Sequence, residues 1–120
     1  MNASLNLGRL GEEIASKYLL NLGYEILDQN WVFEKAEIDI IALFDNKIVF
    51  VEVKSRRSQA FGLPDSFVDE NKIMNLSRAA DHYLYLVDFN GEVRFDIISI
   101  LFNENQSYTL NHIDDAFWPE

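Results

Sequence analysis

Apolar residues in the first part of the chain recur at helical spacing. They follow one another at steps of three and four residues, and they are Leu7, Leu10, Ile14, Tyr18 and Leu22. This stripe predicts an amphipathic helix over residues 6–22, which would end at Gly23, because glycine commonly follows the last helical turn. Residues 24–33 are predicted to be irregularly extended and to supply aromatic and aliphatic side chains to a core.

The next segments alternate with the period of two that is typical of β-strands. Residues 37–44 and 47–54 are the alternating segments, and Asp45 and Asn46 between them suit a tight hairpin turn. On the first strand, one predicted face carries Ile38, Ile40 and Ala42, and the other carries Glu37 and Asp39. On the second strand, Val49, Val51 and Val53 are predicted to lie opposite Phe50, Glu52 and Lys54.

Three further elements complete the predicted order. A second helix is predicted over residues 66–87, followed by strands over residues 93–102 and 106–112, the last of them at a sheet edge. The inward stripe of the second helix is predicted to be Ile73, Leu76, Ala80, Tyr83 or Leu84, and Val87. The order α-β-β-β-α-β-β predicts an α/β fold with a mixed sheet flanked by helices. No linker or repeat divides residues 1–120, which predicts a single domain.

Length and composition exclude several classes of protein. The chain has 120 residues, of which 48% are hydrophobic, and this composition fits one globular domain. No apolar run approaches the roughly 18 residues that a membrane span requires. The absence of cysteine excludes disulfides, thiolate zinc sites and a cysteine nucleophile. The N-terminus shows no export signal, so a cytoplasmic protein with no membrane partner is expected.

The net charge of −10 argues against a nucleic-acid partner, because proteins that hold such a backbone usually show a basic face. The charges are unevenly distributed, however. Lys54, Arg56 and Arg57 lie within four residues, whereas Asp114 and Asp115 lie near the other end. Two interpretations therefore stay open: the basic groups gather locally at a binding site, or the protein never touches nucleic acid.

Asp39, Glu52, Val53 and Lys54 form the candidate chemical site. Twelve residues separate Asp39 from Glu52, and the predicted hairpin brings both carboxylates to the ends of neighbouring strands. Phosphodiester hydrolysis requires charge neutralisation and hydroxide near neutral pH, and Mg²⁺ supplies both through oxygen ligands. The carboxylates and the Val53 carbonyl are candidate ligands for Mg²⁺ or Mn²⁺. Lys54, on the predicted face of Glu52, is a candidate to orient the attacking water.

On this pattern alone, an ordinary exposed pair of Glu52 and Lys54 on a half-solvated strand is the commoner explanation. Phe50 shares their predicted face, however, so charged residues occupy positions where apolar ones are expected. Placing carboxylates together is costly unless a cation compensates, and this cost favours a functional site. Glu37 shares the predicted face of Asp39, either as a further ligand or as a solvated carboxylate.

Longer segments carry a more specific resemblance. The chain contains, in order, GRLGEEIASKYLLNLGYEIL, NW, AEIDIIAL, FVEVKSRRS, FG, Lys72 and VRFDIISI. In these segments it resembles the YraN-type family of uncharacterised bacterial proteins over nearly its whole length. Many relatives carry Gly where this chain has Ala36, a change that removes no ligand. The resemblance implies a restriction-endonuclease-like fold, distantly related to archaeal Holliday-junction resolvases.

The resemblance also implies site residues that spacing leaves undecided. The positions that match the nuclease-type active site are Glu12, Asp39, Glu52 and Lys54. Glu12 would be a metal ligand, although a carboxylate in the first turns of a helix is equally explained by the helix dipole. Arg56, Arg57 and Lys72 are candidate contacts to DNA phosphates, and a solvated surface is the competing account for the arginines.

Other polar and aromatic residues are predicted to be structural. Arg94 and Asp96, two residues apart on one strand, are expected to pair. His82 and His112 lack a partner pattern for zinc or for a nucleophile relay, so both are expected to be structural or solvated. Trp31 is expected to be a packing residue.

The leading hypothesis is a metal-dependent endonuclease-like protein that acts on DNA, with branched or structured DNA among the candidate substrates. The alternatives are a catalytically silent protein that binds DNA or a DNA-processing partner, and an acidic protein-interaction module that avoids DNA. Fold alone does not choose among them, because function depends on the site. A monomer and a homodimer both stay open, since the last strand offers an edge for pairing.

Overall fold

The computed structural model describes residues 7–57, 70–105 and 107–116 of the chain. The elements in these residues are α1 (Leu7–Asn21), β1 (Glu25–Phe33), β2 (Ala36–Phe44), β3 (Lys47–Arg57), α2 (Glu70–Val87), β4 (Glu92–Phe102) and β5 (Tyr108–Ile113). The predicted order of helices and strands is confirmed. The predicted starts at residues 6, 66 and 106 lie outside the described residues. Neither of these helices has the length and hydropathy that a membrane crossing requires.

The strands form one mixed sheet in the order β1-β2-β3-β4-β5. Neighbours are antiparallel except β3 and β4, which are parallel and therefore need the long connection that contains α2. The predicted mixed sheet and the edge position of β5 are confirmed. Residues 25–33 form a strand that pairs with β2 and has one shift of register, between Ile26 and Asp28.

Apolar side chains pack on both faces of the sheet, and the side chains of β3 alternate between the two faces. The core on the α1 side includes Leu19, Val49, Val51, Ile98 and Ile100. The core on the α2 side includes Phe50, Leu76, Ala79, Tyr83 and Phe95. Two-sided burial explains why β3 and β4 are nearly continuous apolar runs, and why a charged residue inside them is conspicuous.

The hairpin turn between β2 and β3 sets the register near the candidate site. Asp45 and Asn46 have φ angles of 56° and 62°, the combination of positive angles that a two-residue type I′ turn requires. Phe44 pairs with Lys47 across the turn, so the predicted tight turn is confirmed. The same register pairs Ile40 with Val51, and the next residues outward on the two strands are Asp39 and Glu52.

The alternation of β2 breaks at Asp39. Ile40 and Ala42 pack on the α1 side, but Ile38 packs on the α2 side together with Ile41. The prediction that Ile38 shares a face with Ile40 and Ala42 is therefore wrong. The pairing between β2 and β3 begins at Ile40, so the part of β2 before Ile40 pairs only with β1 and is free to depart from the alternation that β3 imposes.

The predicted inward stripes of both helices are partly wrong. Leu10 of α1 and Leu22, which follows the helix, are 45% and 50% exposed, and Val87 at the end of α2 is 46% exposed. The buried residues of α1 are instead Gly11, Ala15, Ser16 and Leu19. The helix approaches the sheet through small residues, which rotates its buried face away from the largest leucines. Gly23, with φ at 99°, follows the helix as predicted.

Gly11 allows this close approach, and replacing it with Ala is expected to destabilise the fold. An added Cβ would overlap Ser55 Oγ and lie 3.2 Å from Ser55 Cβ, and rotating the hydroxyl relieves only the first contact. We expect the free energy of unfolding to fall by about 1–3 kcal/mol, measured by urea denaturation. Gly8→Ala is the control, because among the described residues no atom beyond its own helix backbone and chain neighbours lies within 4 Å of its added Cβ. It should stabilise α1 by about 0.5–1 kcal/mol, and equal stability of the two variants would contradict the packing argument.

Candidate functional site

A cleft of about 460 Å³ opens beside α2 where β2 and β3 separate. Its lining includes Lys35, Glu37, Asp39, Glu52, Asn71 and Lys72. Three of the residues predicted from the sequence, Asp39, Glu52 and Lys72, therefore come together on one concave surface. The sequence analysis did not single out Lys35 or Asn71. The feature that could have pointed to Asn71 is its position next to Lys72, as a polar pair beside the apolar stripe of α2.

Asp39 takes the place of a backbone partner for β3. Its Oδ2 accepts a hydrogen bond of 2.8 Å from the backbone N–H of Val53, beyond the point where the ladder between β2 and β3 stops. The N–H and C=O of one strand residue point towards the same neighbour, so the Val53 carbonyl faces the same gap as Asp39. The gap thus collects oxygen atoms from a carboxylate and a backbone carbonyl.

The carboxylate of Asp39 lies in an unfavourable electrostatic environment. Burial, the largest effect, and the negative charges of Glu52, Glu12 and Glu37 together raise its pKa from 3.8 to about 7, while the hydrogen bond from Val53 opposes them. The part of this rise that comes from the neighbouring carboxylates indicates a local surplus of negative charge. Such a cluster is suited to a cation.

Glu52 is the most buried of these carboxylates, with a side chain that is 10% exposed. Lys72 reaches across from α2, and its Nζ lies 2.6 Å from Glu52 Oε2. β3 stays in register with β4 through Arg57, so Glu52 and Lys54 keep the same face, as predicted. Lys54 lies two residues further along and is half-buried.

Glu12 approaches the site from α1. Its Oε1 accepts a hydrogen bond of 3.0 Å from Asn30 Nδ2 on β1, and its charge contributes to the raised pKa of Asp39. Within residues 7–57, 70–105 and 107–116, however, no group of three His, Asp or Glu side chains is arranged to hold a metal ion. The ligand set of Glu12, Asp39 and Glu52 therefore stays a prediction.

The donor chemistry nevertheless fits Mg²⁺ or Mn²⁺. Mg²⁺ is commonly held by only one or two carboxylates, with water and substrate phosphate completing its shell. Asp39, Glu52 and the Val53 carbonyl supply such a partial set, and an ion would neutralise the carboxylate charges that, after burial, contribute to the raised pKa of Asp39. The ammonium of Lys72 already neutralises part of that charge at Glu52.

Arg56 and Arg57 lie at the end of β3, away from the residues that line the cleft. Arg56 is half-buried and Arg57 is exposed, and they pair with Leu101 and Phe102 of β4. The structure therefore separates the two arginines from Lys72, the third predicted phosphate contact, which lies in the cleft itself.

A second polar cluster lies elsewhere, between α1, β4 and β5. Arg94 Nε and Nη2 each lie 2.9 Å from an oxygen of Asp96, so the predicted pairing is confirmed. His112 Nε2 lies 2.7 Å from Asp96 Oδ2, and its Nδ1 lies 2.9 Å from Tyr18 Oη. His112 is thus structural, but the sequence reasoning missed its partners. The feature that could have pointed to these partners is Asp96, a charged residue inside an otherwise apolar strand.

His82 and Trp31 also have structural roles. His82 stacks on Phe33 with ring centroids 4.4 Å apart, and Trp31 contacts Tyr83 edge-on at 5.2 Å. Trp31 packs against the core on the α2 side, as predicted. These contacts fasten β1 to α2 on the face of the sheet where the cleft opens.

Sequence comparisons agree on one family. The model of the family described as "Uncharacterised protein family UPF0102" matches residues 11–100. A UPF0102 protein of Flavobacterium psychrophilum is 44% identical over 113 residues, which cover 94% of each chain. A UPF0102 protein of Syntrophomonas wolfei is 46% identical over 112 residues, covering 92% of this chain and 96% of the relative. Neither name states an activity.

Proposed function

The chain belongs to the uncharacterised protein family UPF0102, and for it we propose a metal-dependent endonuclease-like activity that hydrolyses phosphodiesters in DNA. The observation that carries the proposal is the approach of Asp39 and Glu52 at the point where β2 and β3 separate. Both carboxylates line one open cleft, and the charge of Glu52 helps to raise the pKa of Asp39. Repulsion between the two carboxylates destabilises the folded state unless a bound cation neutralises it.

Each predicted residue has a distinct role in this proposal. Asp39, Glu52 and the Val53 carbonyl would hold Mg²⁺ or Mn²⁺, with Glu12 completing the carboxylate set. When bound, the ion supplies charge neutralisation at the phosphate and a water of lowered pKa. Lys54, on the same strand face as Glu52, would orient the attacking water and stabilise the developing charge.

The distribution of charge is compatible with DNA despite the total of −10. Lys35 and Lys72 line the cleft together with its carboxylates, and Arg56 and Arg57 add positive charge apart from it, at the end of β3. Contacts of this kind hold phosphates without reading base sequence. A cytoplasmic protein that recognises DNA structure, including branched DNA, is consistent with these few, scattered cations.

A catalytically silent binding module is the second candidate function. It is favoured by the absence of a three-residue metal cluster among the described residues and by the net charge of −10. This alternative expects salt-dependent DNA binding that survives loss of the carboxylates, with no cleavage. A module that avoids DNA would instead bind no nucleic acid even at low salt.

The decisive variant is Asp39→Ala combined with Glu52→Ala. We expect saturable Mn²⁺ binding by calorimetry in the parent chain and a loss of affinity of about 100-fold in the double variant. Cleavage of linear, nicked or branched DNA with Mn²⁺ should fall by at least about 100-fold. The physical reason is that both changes remove charged oxygen ligands from one site.

The matched control is Asp81→Ala combined with Glu92→Ala, which removes the same charge from two exposed carboxylates that do not line the cleft. Metal binding and cleavage should be unchanged in this control. Metal binding that persists in the Asp39 and Glu52 variant would contradict the site. Parent protein that cleaves none of the DNA forms with either metal would favour the silent module.

A further inference from the structure

Lys72 makes a contact that a simple phosphate-binding lysine would not need. Its Nζ lies 2.6 Å from Glu52 Oε2, and the Glu52 side chain is only 10% exposed. Glu52, the most buried of the candidate ligands, is therefore already paired with a cation, and a residue of α2 supplies that cation. In the metal-free protein, this ion pair offsets the desolvation of Glu52.

An ammonium and a divalent ion cannot both occupy this carboxylate favourably. At separations near 4 Å and in a partly buried cleft, repulsion between like charges is several times stronger than in bulk water. This repulsion favours departure of the Lys72 ammonium from Oε2 when a metal ion binds Asp39 and Glu52.

The two partners differ in their freedom to move. Glu52 projects from the centre of β3, which pairs with β2 up to Val51 and with β4 through Arg57. The Lys72 side chain is 45% exposed and has a long flexible stem, so its ammonium can turn towards the open side of the cleft. That open side is also where a phosphate of a bound DNA strand would lie.

We propose that Lys72 is a positioning residue that exchanges between two anions. It pairs with Glu52 in the metal-free protein, and it transfers its ammonium to a DNA phosphate when the divalent ion binds Glu52. This inference rests on the proposed function. Its consequence is that DNA and metal strengthen each other's binding, because each favours the state in which Lys72 has left Glu52.

The test is Mn²⁺ binding to full-length variants without DNA, measured by calorimetry. Lys72→Met is expected to bind Mn²⁺ at least about 10-fold more tightly than the parent, because the competing cation is gone. Lys72→Arg, which keeps the charge, should stay near the parent affinity. Lys35→Met is the matched control: it removes a lysine that lines the same cleft, and it should change the affinity by less than about 3-fold.

A second measurement tests the coupling to DNA. A cleavage-resistant phosphorothioate duplex should increase the Mn²⁺ affinity of the parent by about 10-fold, and that of Lys72→Met by much less. Mn²⁺ affinity that is equal or weaker in Lys72→Met would overturn the exchange while leaving the metal site intact. Failure of both the parent and Lys72→Met to bind Mn²⁺ would overturn the exchange together with the metal site.

Discussion

Replacing Asp96 with Ala is expected to lower the free energy of unfolding by about 3–5 kcal/mol. The side chain of Asp96 is fully buried, yet it is charged, because Arg94 and His112 hold its oxygens at 2.7 to 2.9 Å. The backbone N–H of Asp115 donates a further bond of 3.0 Å. Removing the carboxylate leaves the guanidinium and the amide without their acceptor, and this loss accounts for the size of the effect.

The pH dependence of stability should report the same cluster. Burial acts to raise the pKa of Asp96, but the hydrogen bonds from His112, Arg94 and Asp115 outweigh it and hold the pKa below its usual range. The stabilisation is therefore present above the unfolded pKa of about 3.9 and is lost as the pH falls through the lower folded value. The difference between parent and Asp96→Ala should accordingly be largest near neutral pH and shrink in acid.

Denaturant titration at pH 7 and pH 3 measures both expectations. Glu92→Ala is the control, because that side chain is 78% exposed and its ion pair with Lys47 lies at the surface. We expect the control to lose less than about 1 kcal/mol. A loss of the same small size for Asp96→Ala would show that the buried cluster contributes nothing specific.

This cluster also shows where prediction from the sequence stops. Arg94 and Asp96 are neighbours on one strand face, so local spacing was enough to pair them. Tyr18 and His112 are 94 residues apart, and they meet only because β5 joins the sheet beside β4 while α1 covers that face. Such a contact depends on tertiary topology, which the local pattern of residues does not contain.

The two packing errors have a related cause. Periodicity identifies which residues are apolar, but it does not say how closely a helix approaches its sheet. Gly11 brings α1 so near to Ser55 that small residues form the contact and Leu10 is left exposed. Similarly, regular alternation predicted one face for Ile38 and Ile40, whereas the interruption at Asp39 separates them.

The candidate site divides in the same way. The hairpin turn and the pairing of its two strands could be predicted from the sequence, and they were enough to predict that Asp39 and Glu52 lie close together. The contact between Lys72 and Glu52 required α2 to cross over the sheet, and the hydrogen bond between Glu12 and Asn30 required α1 to lie beside β1. Family resemblance singled out Lys72 and Glu12, but only the fold gave them partners.

Replacing Asp39 with Asn is expected to stabilise the metal-free protein by about 2–4 kcal/mol at pH 8. The pKa of Asp39 is raised from 3.8 to about 7, so between these values the folded state binds a proton that the unfolded state has released. Stability therefore falls as the pH rises through this window, by about 1.4 kcal/mol for each pH unit at most. The neutral amide removes the penalty, and its oxygen can still accept the bond from Val53.

The gain should depend on pH in a way that a simple packing improvement would not. The difference between Asp39→Asn and the parent should be near zero at pH 4 and should level off above pH 7. Asp81→Asn, on the exposed face of α2, is the control and should give no such rise. A difference that is constant across this range would contradict the raised pKa.

Divalent metal should reverse the ranking of the two proteins. Mn²⁺ at pH 8 should stabilise the parent, because a ligand that binds only the folded state adds stability by mass action. Asp39→Asn should gain little, since one charged ligand is missing. If Asp39→Asn is more stable than the parent without metal and gains no stability from Mn²⁺, then the carboxylate of Asp39 destabilises the fold and contributes only when metal is bound. That combination is what a binding site requires, because a carboxylate selected for packing alone would have no reason to lie beside Glu52.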